Sequence, residues 1–336
     1  MLNVSGTIRE KFPQKKIVVI GDLVADQFLQ GTIARVSREA PVFILRHDET
    51  KTLPGGAANA AVNVAALGGQ VFLVGIVGAD SNGAILLEKL YDSKVNCEFV
   101  ITSEDFQTTT KVRVLAGQYY APRQQVIRID YENQTTIGVQ LQDTLEKNLT
   151  SAVENADAIV VSDYNYGIAN RSIIDLAIKF AGERNIPLLA DSRFNLKNFN
   201  GATTATPNQE EVEQILGANF TETDCAELCR NLSFEALLVT RGNKGMLLIE
   251  KNKAPLQLEA VGAKEPLDVT GAGDTVIAAY ALGLASGLSF AQAANLANHA
   301  GGIVVMKKGT ASVAAAELLA SLAKVEKGEH KTQTTL

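Results

Sequence analysis

Five short apolar runs, each halted by a small or acidic residue, constrain this chain more than any other feature of its sequence. Lys16-Ile17-Val18-Val19-Ile20 stops at Gly21, and Val71-Phe72-Leu73-Val74 stops at Gly75. Ala158-Ile159-Val160-Val161 stops at Ser162-Asp163, Pro187-Leu188-Leu189-Ala190 at Asp191, and Ala236-Leu237-Leu238-Val239 at Thr240. A strand with one wet face alternates apolar and polar residues, so an unbroken apolar run implies burial on both faces. Helical patterns accompany the runs at 57–67, 82–91, 137–152, 171–181 and 208–216. The alternation predicts an α/β fold: a doubly wound, mainly parallel sheet flanked by helices, with ligands at the carboxyl ends of its strands.

Two stretches, 31–53 and 99–131, break the pattern. They hold strand-like segments such as Val42-Phe43-Ile44-Leu45 and Thr110-Lys111-Val112-Arg113-Val114-Leu115 with no helix between them. They read as inserted antiparallel hairpins forming a small β-sheet lid, able to cover the crevice or to join a second copy in a homodimer. An edge extension of the main sheet is the simpler alternative. The 336 residues are enough for about two domains at roughly 100–200 residues each. They read instead as one domain over 1–336 that carries the two insertions as its lid and ends in a polar tail at 326–336.

Composition narrows the partners. Lys and Arg total 31 against 37 Asp and Glu, a net charge of −6 without a basic block, which argues against nucleic acid or an anionic membrane. Apolar runs are interrupted well before the roughly 20 residues of a membrane span, and the N-terminal segment has no apolar core of a secretory signal. Cys97, Cys225 and Cys229 are odd in number, and His47, His299 and His330 are isolated, so neither a disulfide framework nor a structural zinc site is expected. A reducing, cytoplasmic setting fits.

The sharpest chemical feature is Asp268-Val269-Thr270-Gly271-Ala272-Gly273-Asp274-Thr275, running into the apolar stretch Val276-Ile277-Ala278-Ala279-Tyr280. A small-residue turn opening a helix exposes backbone amides that favour an anion, phosphate above all. Asp274 has two uses from this segment alone: a helix cap, or a base beside a transferring phosphoryl group. No Gly-x-x-x-x-Gly-Lys loop occurs, and Gly21 is followed by Asp22-Leu23-Val24-Ala25-Asp26 rather than a dinucleotide fingerprint. A second constellation is Pro54-Gly55-Gly56-Ala57-Ala58-Asn59, where paired glycines permit close approach and Asn59 offers donor and acceptor. A turn with a cap accounts for it equally well. With Asp22 and Asp26 after the first strand, carboxylates are available for several hydroxyl groups, which suits a sugar.

These segments resemble the signatures of the ribokinase-like carbohydrate kinases, the PfkB family, from about residue 17 to 323. Gly55-Gly56-Ala57-Ala58-Asn59 with Gly68 and Gly78 is similar to the first signature, and 268–274 with Ala278 and Ala279 to the second. Within the family, Arg35-Val36-Ser37-Arg38-Glu39-Ala40-Pro41-Val42, Lys111-Val112-Arg113, Ser162-Asp163-Tyr164 and Leu238-Val239-Thr240-Arg241 resemble kinases of D-glycero-D-manno-heptose 7-phosphate that act on the anomeric hydroxyl. Two departures stand out: Asp191-Ser192-Arg193 where those kinases tend to have Asp-Pro-Lys, and an apparent insertion at 116–122. A His-x-Gly-His nucleotidyltransferase motif, carried by a fused domain in many bacteria, does not occur.

The resemblance implies a role for each matching residue. Asp274 becomes the catalytic base, with the amides of Gly271, Ala272 and Gly273 as anion hole. Asn208 and Glu211 match an Asn-x-x-Glu motif that organises Mg²⁺ and the ATP phosphates, an oxygen-only set of the kind Mg²⁺ accepts. Thr240, Gly242, Gly245 and Asn298 fall where relatives border the nucleotide. Asp26, Gly55, Gly56 and Asn59 match sugar contacts. Asp268 and Thr270, with the Gly309 loop, lie where some members hold a monovalent cation, usually K⁺. Lys111, Arg113, Arg123 and Arg128 are the candidate partners of a distal phosphate, or else a solvated strand face. The same fold would serve a kinase of another sugar, sugar acid or nucleoside, or a catalytically silent sugar-binding regulator.

Overall fold

The computed structural model describes residues 3–118, 120, 123–132, 137–262 and 265–326. Helix α1 (Val4–Glu10) leads into β1 (Lys16–Gly21), β2 (Leu23–Val36) and β3 (Phe43–Gly56). Then come α2 (Ala57–Ala66), β4 (Gln70–Gly78), α3 (Ser81–Asp92), β5 (Asn96–Ser103), β6 (Thr109–Gly117) and β7 (Gln124–Tyr131). The middle of the chain holds α4 (Val139–Ala152), β8 (Ala158–Asp163), α5 (Arg171–Arg184), β9 (Leu188–Ser192), β10 (Thr204–Ala205), α6 (Gln209–Leu216) and α7 (Glu222–Asn231). The remainder is β11 (Ala236–Thr240), β12 (Met246–Glu250), β13 (Leu256–Leu258), α8 (Ala272–Ala285), α9 (Phe290–Val304) and α10 (Ala315–Glu326). None of the described helices is long and apolar enough to cross a membrane.

Nine strands form the main sheet in the order β13-β12-β11-β10-β9-β8-β1-β4-β5, parallel from β5 to β11, with β12 and β13 antiparallel at one edge. The unbroken apolar runs follow from two cores. Ile17 and Val19 of β1 pack into one beneath α2, α8 and α9, while Val18 and Ile20 pack into the other beneath α4, α5 and α7. Strand β8 divides likewise, Ala158 and Val160 against Ile159 and Val161. Each such Val or Ile side chain, removed from water, contributes about 1.5–3 kcal/mol. Helix α8 lies so deep that every residue from Asp274 to Gly283 is buried, which explains why it is apolar all round.

The second sheet, β3-β2-β6-β7, is hydrogen-bonded within itself, so the hairpins are no edge extension of the main sheet. Strands β2 and β3 form a long antiparallel ribbon from Leu23↔Gly56 to Val36↔Phe43, bent by register shifts at Gln30/Gly31 and Ile33/Arg35. The expected boundaries need correction at both insertions. The first begins at Leu23, because β2 leaves the main sheet directly after β1. In the second, 99–103 belongs to β5, which pairs parallel with β4; only β6 and β7 join the small sheet. No crossover helix follows β5 because β6 enters a different sheet. In the apparent insertion at 116–122, Ala116 and Gly117 end β6, while Tyr119, Ala121 and Pro122 lie outside the described residues, as does the tail beyond Glu326.

Candidate active site

The chemistry gathers at the carboxyl ends of β1, β8 and β9, where the N-terminus of α8 meets the root of the small sheet. Gly271 occupies the N-cap position in the left-handed region (φ +76), and a Cβ there would meet Asn59 Nδ2 at 2.4 Å. Only glycine lets the turn close on Asn59. No side chain caps α8. The Asp274 carboxylate instead faces across the crevice: Oδ2 accepts from Asn59 Nδ2 (2.7 Å) and Oδ1 from the Tyr164 hydroxyl (2.9 Å). That geometry removes the cap from the two uses of Asp274. Burial leaves the residue 2% exposed and pushes its pKa up to about 6, against the lowering effect of those two donors.

Asn59 and Gly56 reach this point because Gly56 is the N-cap of α2 and Asn59 lies in its first turn. Gly55 passes over Asp26 so closely that a Cβ would stand 2.5 Å from Asp26 Oδ2. The two early carboxylates differ in use. Asp22 accepts the backbone N–H groups of Tyr164 (2.8 Å), Tyr166 (3.1 Å) and Ile168 (3.1 Å), so it anchors the loop after β8 and is not open to a sugar. Burial raises its pKa to about 6. Asp26 remains at the crevice, paired with Arg113. Tyr164, to which the sequence motifs assign no role, joins the two halves: its amide is held by Asp22 and its hydroxyl by Asp274.

Along the other side of α8 runs a cleft of about 650 Å³ bordered by Asn208, Thr240, Gly242, Gly245 and Asn298 together with Ala272 and Gly273. It brings together every expected nucleotide residue except Glu211. Asn208 and Glu211 form a capping box on α6: Asn208 Oδ1 accepts from Glu211 N (2.9 Å) and Glu211 Oε2 from Asn208 N (2.8 Å). The motif therefore has a structural task of its own. Burial raises the Glu211 pKa against the Asn208 amide and Arg193, and burial with Glu211 and Asp274 nearby raises that of Asp191. Asn298 donates to the Glu259 carbonyl (2.7 Å), tying α9 to the cleft wall. Of the anion-hole amides, Ala272 N–H already donates to Val269 O (3.2 Å), whereas those of Gly271 and Gly273 have no acceptor among the described residues. Asp268 accepts from Thr270 N (2.9 Å) and Gly309 N (2.8 Å), which outweigh its burial and hold its carboxyl below the usual range.

The candidate cations separate sharply. Arg113 is spent on Asp26, Arg128 on Asp130 through two bonds of 2.9 Å, and Arg123 on Asp48 and Gln30. Lys111, 5% exposed, makes no salt bridge among the described residues; its ammonium lies 5.4 Å from the Tyr164 ring centre and 5.3 Å from that of Tyr166. Arg193 lies over Tyr164 as well, at 4.5 Å, again without a salt bridge among the described residues. Burial and the neighbouring Arg193 depress the Lys111 pKa. In the sequence Arg193 stands as a departure from Asp-Pro-Lys that keeps the cation with different geometry, and its place one residue past the end of β9 is the signal of a role at the crevice.

The profile described as "pfkB family carbohydrate kinase" matches residues 14–316. The bifunctional protein HldE of Haemophilus influenzae is 41% identical over 313 residues, 92% of this chain and 63% of that protein. The namesake from Psychromonas ingrahamii is 40% identical over 92% of this chain and 64% of its own length, so the chain spans just under two thirds of these relatives. Among solved structures, Arabidopsis thaliana ribokinase with ribose and ATP superposes with a TM-score of 0.70 at 21% identity, covering 92% of this chain and 98% of that one. Escherichia coli phosphofructokinase-2 with substrates and products gives 0.74 at 18% identity over 93% and 99%, a likeness of fold. A profile match over nearly the whole chain, on a ribokinase-like architecture, means that this protein belongs to the pfkB family of carbohydrate kinases and is a sugar-phosphorylating phosphotransferase.

Proposed function

We propose that the chain transfers the γ-phosphoryl group of ATP to the anomeric hydroxyl of D-glycero-D-manno-heptose 7-phosphate, with Asp274 as general base. The observation that carries this reading is the buried Asp274 carboxylate at the mouth of α8, its pKa raised to about 6 beside two amides without an acceptor among the described residues. The hydroxyl oxygen attacks the γ-phosphorus, its proton passes to Asp274, and the bond to ADP breaks. Gly271 and Gly273 amides meet the charge on the transferring group, and the rigid turn needs little reorganisation to do so.

A substrate phosphate is supported by Lys111 and Arg193, two cations on one tyrosine ring, neither held in a salt bridge among the described residues. Asp26, Gly55, Gly56 and Asn59 then face the sugar, while Thr240, Gly242, Gly245 and Asn298 border ATP. Asp191 and Glu211 are the residues that suit Mg²⁺, since both are carboxylates held near others without a salt bridge among the described residues. When bound, Mg²⁺ offsets charge on the ATP phosphates. Asp268 and Thr270 remain the candidates for K⁺, although both Asp268 oxygens already accept amides. Outward-facing Val36, Phe43, Ile127 and Ile129 on the small sheet support a homodimer through the lid. A cytoplasmic site of action fits the demand for ATP.

The deciding experiment is an ADP-release assay with a panel of sugars, sugar phosphates and nucleosides, followed by NMR location of the new phosphate. Turnover confined to unphosphorylated hexoses or nucleosides would replace the heptose reading with another kinase. No turnover on any acceptor would favour a silent sugar-binding regulator.

A further inference from the structure

An asparagine amide has two ends of opposite polarity, and only one suits a carboxylate. Asn59 turns its Nδ2 to Asp274 Oδ2 at 2.7 Å; reversed, its Oδ1 would press lone pairs against the carboxylate. The choice is made one helical turn further along α2, on the same face. Asn63, fully buried, donates through Nδ2 to Asn59 Oδ1 (3.2 Å) and to the Asn59 carbonyl (3.0 Å). Its own direction is fixed in turn, because Oδ1 accepts from the backbone N–H of Val313 (3.3 Å), a group that can only donate. Thr275 Oγ1, next to the catalytic aspartate in sequence, donates to the same oxygen (3.0 Å).

We propose that Asn63 is a positioning residue for phosphoryl transfer: it holds the Asn59 amide with its N–H toward Asp274, so that a polarity set by the Val313 N–H reaches the base through two side chains. The inference rests on Asp274 being the base. Its chemical consequence is specific. A donor at Oδ2 favours the ionised carboxylate, whereas a reversed or wandering Asn59 amide withdraws that donor and leaves less of the base ionised at a given pH. Asn63 has no hydrogen bond to Asp274 among the described residues; its side-chain link to the carboxylate runs through Asn59, and its bond to Thr275 ties α2 to α8.

The test is the pH dependence of kcat for wild type, Asn63→Ala, Asn59→Ala and the double variant. Asn63→Ala should move the acid limb upward by about one pH unit, a tenfold loss of turnover below the limb, with KM for ATP unchanged. The double variant should move the limb no further than Asn59→Ala. An unmoved limb in Asn63→Ala, or shifts that add in the double variant, overturns the proposal, since damage to packing alone would lower Tm without this coupling. Side-chain amide NMR of the wild-type enzyme needs no variant: the Asn59 and Asn63 resonances should titrate together with the Asp274 carboxyl, and an Asn63 amide indifferent to that titration refutes the relay. A wild-type profile without an acid limb, or turnover retained by Asp274→Asn, would instead remove the base, whatever the amide resonances report.

Discussion

Asp274→Asn separates the base from a helix cap by moving stability and turnover in opposite directions. The folded pKa of about 6 lies above the ordinary 3.8, so the folded protein holds a proton that the unfolded chain releases between those values. Stability from this group is therefore greatest below pH 4, falls as pH rises through the window from about 4 to 6, and stays low above it. A difference of roughly two pKa units corresponds to about 3 kcal/mol at pH 7 and about 0.5 kcal/mol at pH 4. Asparagine carries no charge and can still satisfy both neighbours, its oxygen accepting from Asn59 and its NH₂ donating to the Tyr164 hydroxyl. Asp274→Asn should thus gain up to about 3 kcal/mol in urea unfolding at pH 7, lose most of that gain at pH 4, and lose on the order of 10²–10⁴ in kcat. A cap would behave oppositely, losing stability on substitution. Unchanged or lower stability at pH 7 together with near wild-type turnover would refute the reasoning.

On the proposed reading, Lys111→Met and Arg193→Gln should each raise KM for a phosphorylated sugar by about 10- to 100-fold while KM for ATP holds, because each would remove a charge-assisted bond to the distal phosphate; steady-state kinetics with both substrates varied decides it. Glu211→Gln keeps the capping box, since glutamine serves there as well, and removes a carboxylate whose pKa burial raises, so stability at pH 7 should hold or rise while the Mg²⁺ concentration for half-maximal rate rises. Loss of stability without a change in Mg²⁺ dependence would leave Glu211 with only its structural task. Gly271→Ala combines a left-handed φ with a 2.4 Å encounter at Asn59 Nδ2, so it should abolish most turnover and lower Tm, as activity and thermal unfolding will show. Phe43→Glu or Ile127→Glu should shift a lid-paired dimer to monomer in sedimentation velocity; an unchanged sedimentation coefficient would discard that interface.

Much was legible in the sequence wherever the physics is local. Continuous apolar runs demanded strands buried on both faces, and the two cores on either side of β1 and β8 answer that demand. A glycine turn opening a helix was readable for the same kind of reason, since backbone geometry depends on adjacent residues, and Gly271 is the left-handed N-cap of α8. What the tertiary structure decided is pairing, which depends on residues distant in sequence. Strand periodicity could not say that 99–103 completes the parallel sheet while β6 leaves it. Nor could residue type distinguish Asp22, consumed by three loop amides, from Asp26 at the crevice. Four lid cations looked alike until Asp26, Asp48 and Asp130 claimed three of them and left Lys111 to share a tyrosine with Arg193. The sequence of the turn leaves Asp274 as a cap or a base; burial and two donors from other elements remove the cap, because a carboxylate's charge and proton affinity are set by the groups that fold against it.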